Sequence, residues 1–180
     1  MAEAYRTYIP AAGHDWPLSF YDPLVKLLGG NSARMALVKQ AGLAARERVL
    51  EVGSGIDRGV SDALPYANGS FDCVFSCFMF HHLKDVKEKQ QTLREIRRVL
   101  EPGGRLALLD FAPPDSTQSG LLSRWTHSSH LLKDNTESRM LSLIGSVGFT
   151  DGRIVRRSKL AGVFHTAYYQ AVAPKEETHA

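Results

Sequence analysis

The segment that most limits the fold lies between two strand-like runs near the middle of the chain. The first run, residues 48–52, leads into a glycine turn at 53–55, and the second run, residues 71–78, is almost continuously apolar. Only 18 residues separate the runs, and they contain four glycines, one proline and no helical periodicity. A helical crossover between parallel strands takes about a dozen residues, and a full βαβ unit takes about 30 or more. The connection can therefore bridge one parallel crossover but has no room for two further strands and two further helices.

The spacing of apolar residues, together with residues that typically begin or end helices, predicts the other helices and strands. Asn31 and Ser32 can begin a helix whose buried stripe is predicted to be Met35, Val38 and Ala41. The predicted helices span residues 31–40, 85–100, 120–132 and 136–147, and the predicted strands span 48–52, 71–78, 105–111, 153–160 and 163–172.

Two short connections predict how neighbouring elements meet. The Pro-Gly-Gly run at 102–104 should end the helix over 85–100, so that the next strand starts at Arg105. The last two strands are joined only through residues 161–162, and so short a link predicts an antiparallel pair. The chain should therefore close on a hairpin.

Length and charge exclude some classes of function. With 180 residues and 43% hydrophobic content, the chain suits one domain with a single core. Its net charge of +3 is small and dispersed, so it does not predict nucleic-acid binding. The densest basic cluster (Arg153, Arg156, Arg157 and Lys159) is better explained as the solvated side of an outer strand.

The cysteines and the N-terminus point to a reduced, cytoplasmic protein. Cys73 and Cys77 are four strand positions apart, roughly 13 Å, which is too far for a disulfide. The same spacing argues against a zinc site formed with His81 and His82, and no metal is expected. The N-terminus lacks the features of a signal peptide, and no apolar run approaches the ~18 residues of a membrane span.

Five landmarks occur in a fixed order along the middle of the chain. A strand with its glycine turn is followed by LPY, SFDCVFS, FHHL and, after an amphipathic helix, LEPGGRLALLDF. In this order they resemble the class I S-adenosylmethionine-dependent methyltransferases of type 11, nearest to the branch that includes ubiquinone and menaquinone biosynthesis enzymes. The resemblance covers residues 48–111 in detail and most of the chain in outline.

The resemblance implies a seven-stranded sheet in the order 3-2-1-4-5-7-6, but the short connection removes the segment between strands 1 and 4. We therefore expect an α/β fold: a Rossmann-like methyltransferase sheet truncated to about five strands, order 1-4-5-7-6, with a C-terminal antiparallel hairpin. Residues 1–175 should form one domain with a polar tail at 176–180. Its parts are an N-terminal cap and helix (1–44), a residual cofactor-binding core (45–112), and C-terminal helices and hairpin (113–175).

The resemblance implies S-adenosylmethionine as cofactor and assigns residues to it in three groups. The first group lies at the turn beneath the methionine and ribose parts of the cofactor, and the same residues equally suit a simple tight turn. The second group runs along the adenine, although its aspartate could instead cap nearby backbone amides. The third group borders the sulfonium. These groups are, in turn, Glu51, Gly53, Ser54 and Gly55; Asp62, Ala63 and Leu64; and Ser76, Cys77 and Phe78.

Two histidines are the candidate catalytic residues. His81 or His82 could act as general base when the acceptor must lose a proton, because an imidazole titrates near neutral pH. A histidine there could instead cap the following helix or pack under the site, and this structural role is the more common one. Asp110 ends the next parallel strand and should point toward the same region, and four residues of the cap are candidates for lining an acceptor pocket: Tyr5, Tyr8, His14 and Tyr21.

Two functions remain open on these residues. One is S-adenosylmethionine-dependent methyl transfer to a small-molecule acceptor. The alternative is a catalytically silent, truncated relative that acts, if at all, as a protein partner, because the missing segment would have supplied a helix end and an acidic ribose contact. Truncation also leaves the first strand as an open apolar edge, which predicts self-association.

Overall fold

The computed structural model describes residues 30–53, 63–113 and 135–175. Outside these ranges lie several of the features expected from the sequence: the N-terminal cap with Tyr5, Tyr8, His14 and Tyr21, the loop residues Ser54, Gly55 and Asp62, the helix predicted over 120–132, and the tail.

The described chain is built on one five-stranded mixed sheet in the order β1-β2-β3-β5-β4. Strands β1, β2 and β3 are parallel, while β5 runs antiparallel to β3 and β4 antiparallel to β5. This is the predicted order 1-4-5-7-6 with its terminal hairpin, renumbered along the chain. The elements are α1 (Gly30–Ala41), β1 (Val49–Val52), β2 (Phe71–Cys77), a 3-10 turn (Phe80–His82), α2 (Val86–Val99), β3 (Leu100–Phe111), α3 (Glu137–Ser146), β4 (Thr150–Leu160) and β5 (Phe164–Val172).

Helices cover both faces of the sheet. Helix α1 packs on one face, and α2 and α3 pack on the other. The predicted stripe of α1 was wrong at Met35, which is 67% exposed, whereas Leu37 and Ala41 are buried. Residues four apart lie on one face of a helix, and it is the Leu37–Ala41 row that contacts β2 and β3.

The LEPGG segment belongs to β3 and does not precede it. Helix α2 ends at Val99, and β3 begins at Leu100, five residues before the predicted start. The pairing of β2 with β3 shifts between Phe71 and Cys73, so the extra residues of β3 form a bulge. Gly104 allows this close approach, because a Cβ there would lie 2.9 Å from the Glu101 carbonyl oxygen.

Helix α2 has a capped start and an apolar side. The Asp85 carboxylate accepts a hydrogen bond from the Glu88 amide at 2.8 Å, which satisfies one free donor of the first turn. Leu93, Ile96 and Val99 are buried against the sheet, whereas Val86, expected on the same side, is 41% exposed.

The amino ends of β1, β2 and β3 are joined by ion pairs. The Arg48 guanidinium bonds to both Asp72 and Glu101, at 3.0 Å each, and Arg105 bonds to Glu47 at 2.7 Å. The hydrogen bonds from Arg48 hold the pKa of the Asp72 carboxyl well below its usual range. The outer edge of β1 carries no partner strand among the described residues.

Strand β4 forms the other edge of the sheet and carries the basic cluster. Arg153, Arg156, Arg157 and Lys159 are exposed on it, as expected for an outer strand. Arg157 pairs with Glu137 at 2.8 Å, and the Arg156 guanidinium carbon lies 5.4 Å from the centre of the Tyr168 ring. Within the described ranges, no helix is long and apolar enough to cross a membrane.

Candidate functional site

The carboxyl ends of β1, β2 and β3 meet at one edge of the sheet. Val52 of β1 lies beside Ser76 of β2, which in turn lies beside Leu108 of β3. Parallel sheets of α/β proteins bind ligands at this edge, because loops and helix starts surround it. Most of the predicted site residues that the structure describes are placed here.

Gly53, the first residue after β1, has no close neighbour in the described part of the chain. A Cβ built on it would meet no described atom within 4 Å. Packing against the described part of the chain therefore does not require glycine at this position. A ligand that approaches the backbone closely would explain why glycine, which has no side chain, occupies position 53.

Ser76 carries an unpartnered hydroxyl at the same edge. Its side chain is fully buried, and Oγ has no hydrogen-bond partner among the residues that the structure describes. A buried hydroxyl without a partner costs free energy that a ligand or an ordered water would recover. Burial, followed by the charge of Asp110, raises the pKa of the neighbouring Cys77 thiol to about 12, which favours the protonated thiol over the reactive thiolate near pH 7.

Phe78 leaves β2 in an uncommon backbone conformation. Its φ is 52°, in the left-handed region where a bulky residue is an outlier. The Phe78 amide donates to the Leu109 carbonyl at 2.8 Å, and the ring lies 5.1 Å from that of Phe111. These contacts hold the strained residue between the ends of β2 and β3.

His81 and Asp110 form a buried pair. The His81 ring Nδ1 lies 2.8 Å from Asp110 Oδ1, and the His81 amide donates to Oδ2 at 3.3 Å. An ionised carboxylate only accepts, so in neutral His81 the proton sits on Nδ1 and Nε2 is left as the basic nitrogen. Asp110 is fully buried, and the structure thus brings together the two residues that the sequence placed in one region.

His82 lies against His81 but has different chemistry. The two ring centres are 3.9 Å apart. Burial, followed by the neighbouring His81, lowers the pKa of His82 to about 4. His82 is therefore neutral near pH 7 and makes a weak base there.

The polar group around Asp110 extends to two residues that sequence reasoning missed. The Asn135 amide nitrogen lies 3.4 Å from Asp110 Oδ1, and the Lys89 ammonium donates to Asn135 Oδ1. Lys89 is 1% exposed and Asn135 is fully buried. Lys89 could have been found, since it precedes Leu93 and Ile96 by four and seven positions and so lies on the apolar stripe of α2. Asn135 gives no comparable signal.

Of the other predicted cofactor residues that the structure describes, Glu51 lies at this edge, whereas Leu64 bonds to the last turns of α2, beside the amino end of β3. Glu51 is exposed and pairs with Arg34 of α1. Leu64 is a core residue whose amide donates to Glu95 at 3.0 Å and whose carbonyl accepts from Arg98 at 3.0 Å, while Ala63 is exposed. In the described ranges, no group of three or more metal-binding side chains is found.

Comparison with known proteins connects this chain to methyltransferases. A family model described as a methyltransferase domain matches residues 26–108. A ubiquinone/menaquinone biosynthesis C-methyltransferase (UbiE) of Hahella chejuensis is 50% identical over 54 residues, 30% of this chain and 20% of the relative. The uncharacterized protein YafE of Escherichia coli is 34% identical over 82 residues, 46% of this chain and 37% of the relative. The chain thus spans about a fifth to two fifths of these relatives.

Solved structures share the fold. A phosphoethanolamine N-methyltransferase 2 of Haemonchus contortus in complex with S-adenosyl-L-methionine superposes with a TM-score of 0.67 at 13% identity, covering 93% of this chain and 59% of that one. The YcgJ protein of Bacillus subtilis superposes with a TM-score of 0.60 at 14% identity, covering 79% of this chain and 97% of that one.

Proposed function

We propose that the chain is a class I S-adenosylmethionine-dependent methyltransferase and that it transfers a methyl group from S-adenosylmethionine to a small-molecule acceptor. The proposed site is the carboxyl edge of β1, β2 and β3. The observation that carries the proposal concerns this edge of the sheet: no atom of the described residues lies near a side chain built on Gly53, and none of them bonds to the buried hydroxyl of Ser76.

The residues at this edge fit such a cofactor. Gly53 would allow a close approach to the end of β1, and on the neighbouring strand Ser76, paired with Val52, has an Oγ without a partner among the described residues. When bound, S-adenosylmethionine supplies an electrophilic methyl group on a sulfonium sulfur. Methyl transfer is an in-line displacement, so the main tasks of the protein are to hold donor and acceptor in alignment and to exclude water.

The pair of His81 and Asp110 supplies a base for acceptors that lose a proton. Nε2 of His81 takes the proton from the acceptor atom, while Nδ1–H keeps its 2.8 Å bond to Asp110. The carboxylate stabilises the imidazolium that forms. His82, with its pKa lowered to about 4, stays neutral and adds no like charge beside that imidazolium.

Calorimetric titration of the full chain with S-adenosylmethionine tests the proposal. We expect saturable binding, and at least about tenfold weaker binding for Gly53→Leu, because the new side chain would fill the space assigned to the ligand. Gly145→Leu is the matched control: a Cβ at Gly145 of α3 also meets no described atom within 4 Å, and it lies away from the edge. The control should bind as the unchanged chain does.

The outcomes separate this proposal from the alternative of a silent relative. Absence of heat at millimolar cofactor would overturn the methyltransferase proposal and favour a chain that acts through a protein partner. Equal weakening by Gly53→Leu and Gly145→Leu would show that binding lies elsewhere. If the cofactor binds at this edge, the acceptor is sought by incubating the chain and labelled cofactor with pools of small molecules and following the transfer of the label.

A further inference from the structure

Asp110 receives hydrogen bonds from three elements of the fold. Its Oδ1 accepts from His81 Nδ1 at 2.8 Å and from the Phe111 amide at 2.7 Å, and its Oδ2 faces the His81 amide at 3.3 Å. The third element is the segment before α3, from which Asn135 Nδ2 approaches Oδ1 at 3.4 Å. A fully buried carboxylate costs free energy unless such donors satisfy its oxygens.

The direction of the Asn135 amide follows from its two neighbours. The Lys89 ammonium has donors only, so the group facing it must be Oδ1. Nδ2 then faces Asp110 Oδ1 and, at 3.5 Å, the Phe111 carbonyl, both of which are acceptors. Both ends of the amide are therefore satisfied in one orientation, and the reverse orientation would set acceptor against acceptor at Asp110.

Lys89 occupies a position where a charged side chain is costly. It is 1% exposed on the apolar side of α2, between the helix and the sheet. Burial of an ammonium is tolerated when hydrogen bonds and opposite charge compensate it. Its bond to Asn135 connects it to the negative charge of Asp110, since one amide touches both.

We propose that Lys89 and Asn135 are positioning residues for the pair of His81 and Asp110. Lys89 orients the Asn135 amide, the amide holds the Asp110 carboxylate, and the carboxylate holds the proton of neutral His81 on Nδ1. This inference deepens the proposed function, on which its catalytic meaning rests. The hydrogen-bond chain itself can be tested without any methyl transfer.

The test is the tautomer of His81, measured by nitrogen NMR on the full chain with ¹⁵N-labelled histidine. The spectrum is recorded at a pH where the histidines are neutral, and the His81 signals are assigned by their loss in His81→Gln. We expect His81 to be protonated on Nδ1 in the unchanged chain. Protonation mainly on Nε2 would overturn the proposal before any further variant is made.

Two variants test the residues themselves. Lys89→Met keeps the aliphatic stem and removes the donors, and Asn135→Leu removes the amide at similar volume. In each we expect the ratio of the Nδ1 to the Nε2 tautomer to fall about 2- to 10-fold, the effect of one lost hydrogen bond. Because Lys89 acts through Asn135, the double variant should match Asn135→Leu alone. Lys87→Met, at an exposed position of the same helix, is the control and should leave the ratio unchanged.

The outcomes are distinct from those for the proposed function. An unchanged or raised ratio in both single variants overturns the positioning role, even if the cofactor binds. An additive double variant overturns the serial order from Lys89 to Asn135. Should Asn135→Leu fail to fold, Asn135→Ser gives the same readout with a smaller polar side chain, and circular dichroism verifies the fold of every variant.

Discussion

At the scale of single residues, neighbouring histidines behave differently because their surroundings differ. His81 has a carboxylate on Nδ1, whereas His82 is desolvated and lies against another imidazole. Adjacent positions in the sequence thus combine a hydrogen-bonded candidate base with a neutral ring that packs on it.

His82 predicts how stability depends on pH. Its pKa is lowered from 6.5 to about 4 in the folded chain, so between these values the unfolded chain binds the proton and the folded chain does not. The contribution of His82 is therefore fully present above pH ~6.5 and is lost as pH falls toward 4. In His82→Gln the loss of thermal stability across this window should be smaller, by at least about 2 °C in Tm. If Tm falls with pH equally in the unchanged chain and in His82→Gln, the lowered pKa of His82 is contradicted.

Asp110→Asn tests the buried carboxylate. The variant replaces one carboxylate oxygen, which accepts hydrogen bonds, with an NH2 group, which donates them. That NH2 group would face the donors of His81, Phe111 or Asn135. We expect a loss of about 1–3 kcal/mol in the free energy of unfolding, measured by urea denaturation. Asp151→Asn is the control: Asp151 is exposed with φ of 53°, a conformation that asparagine adopts readily, so stability should stay within about 0.5 kcal/mol. Equal effects of the two substitutions would contradict the role of Asp110.

At the scale of elements, helix ends and turns make local contributions to stability that can be measured one at a time. Helix α2 begins with a reciprocal arrangement: Asp85 accepts from the Glu88 amide, and the Glu88 carboxylate accepts from the Lys84 amide at 2.8 Å. Such a start satisfies two donors outside the helical hydrogen-bond pattern.

Asp85→Ala should cost about 1 kcal/mol of unfolding free energy, because the Glu88 amide loses its acceptor. Urea denaturation measures the loss. Lys87→Ala removes an exposed side chain from the same first turn without touching the cap, and it should change stability by less than about 0.5 kcal/mol. A cost at Lys87 as large as that at Asp85 would show that capping is not the cause.

In the turn between β4 and β5, substitutions at two neighbouring residues should change stability in opposite directions. Ala161 has φ of 52° and Gly162 has φ of 70°, so one position strains an alanine while the other uses glycine. Ala161→Gly should stabilise the chain by about 0.5–1 kcal/mol, and Gly162→Ala should destabilise it by about 1 kcal/mol. Thermal unfolding of both variants measures the difference, and a shift of the same sign in both would rule out the backbone explanation.

At the scale of the whole molecule, one edge of the sheet is basic, and the other has no neighbouring strand in the described part of the chain. Strand β4 exposes arginines and a lysine, which discourage pairing with another strand. Strand β1 is four residues long and has no partner on its outer side among the described residues. The two edges therefore differ in how well they resist association.

Self-association through β1 is predicted to depend on concentration. Size-exclusion chromatography with light scattering should show a growing dimer fraction as the chain is concentrated. Val49→Lys places a charge on this edge strand and should lower that fraction, whereas Val155→Lys on the already basic β4 should not. A compact monomer at every concentration would contradict the prediction.

How much the sequence could predict differs between the fold and the site. The order of the sheet was predicted from the resemblance to class I methyltransferases together with the short connection before β2, and the two-residue link before β5 predicted that β4 and β5 are antiparallel neighbours. The stripe of α1 was missed at Met35, since three-residue spacing and four-residue spacing both suit a helix and packing decides between them. Roles in binding and catalysis stay predictions for every residue of the site.

The sequence by itself determined where along the chain each strand lies, though not where β3 begins, and that the chain closes on an antiparallel hairpin; with the family resemblance it also predicted that β1 and β2 are parallel neighbours. These properties depend on local periodicity and on connection length, which the sequence contains. Only the tertiary structure decided that LEPGG forms a bulge within β3 and that Lys89 and Asn135 reach Asp110. Lys89 and Asn135 are 46 residues apart, and side chains that distant meet only after the sheet and its helices have packed.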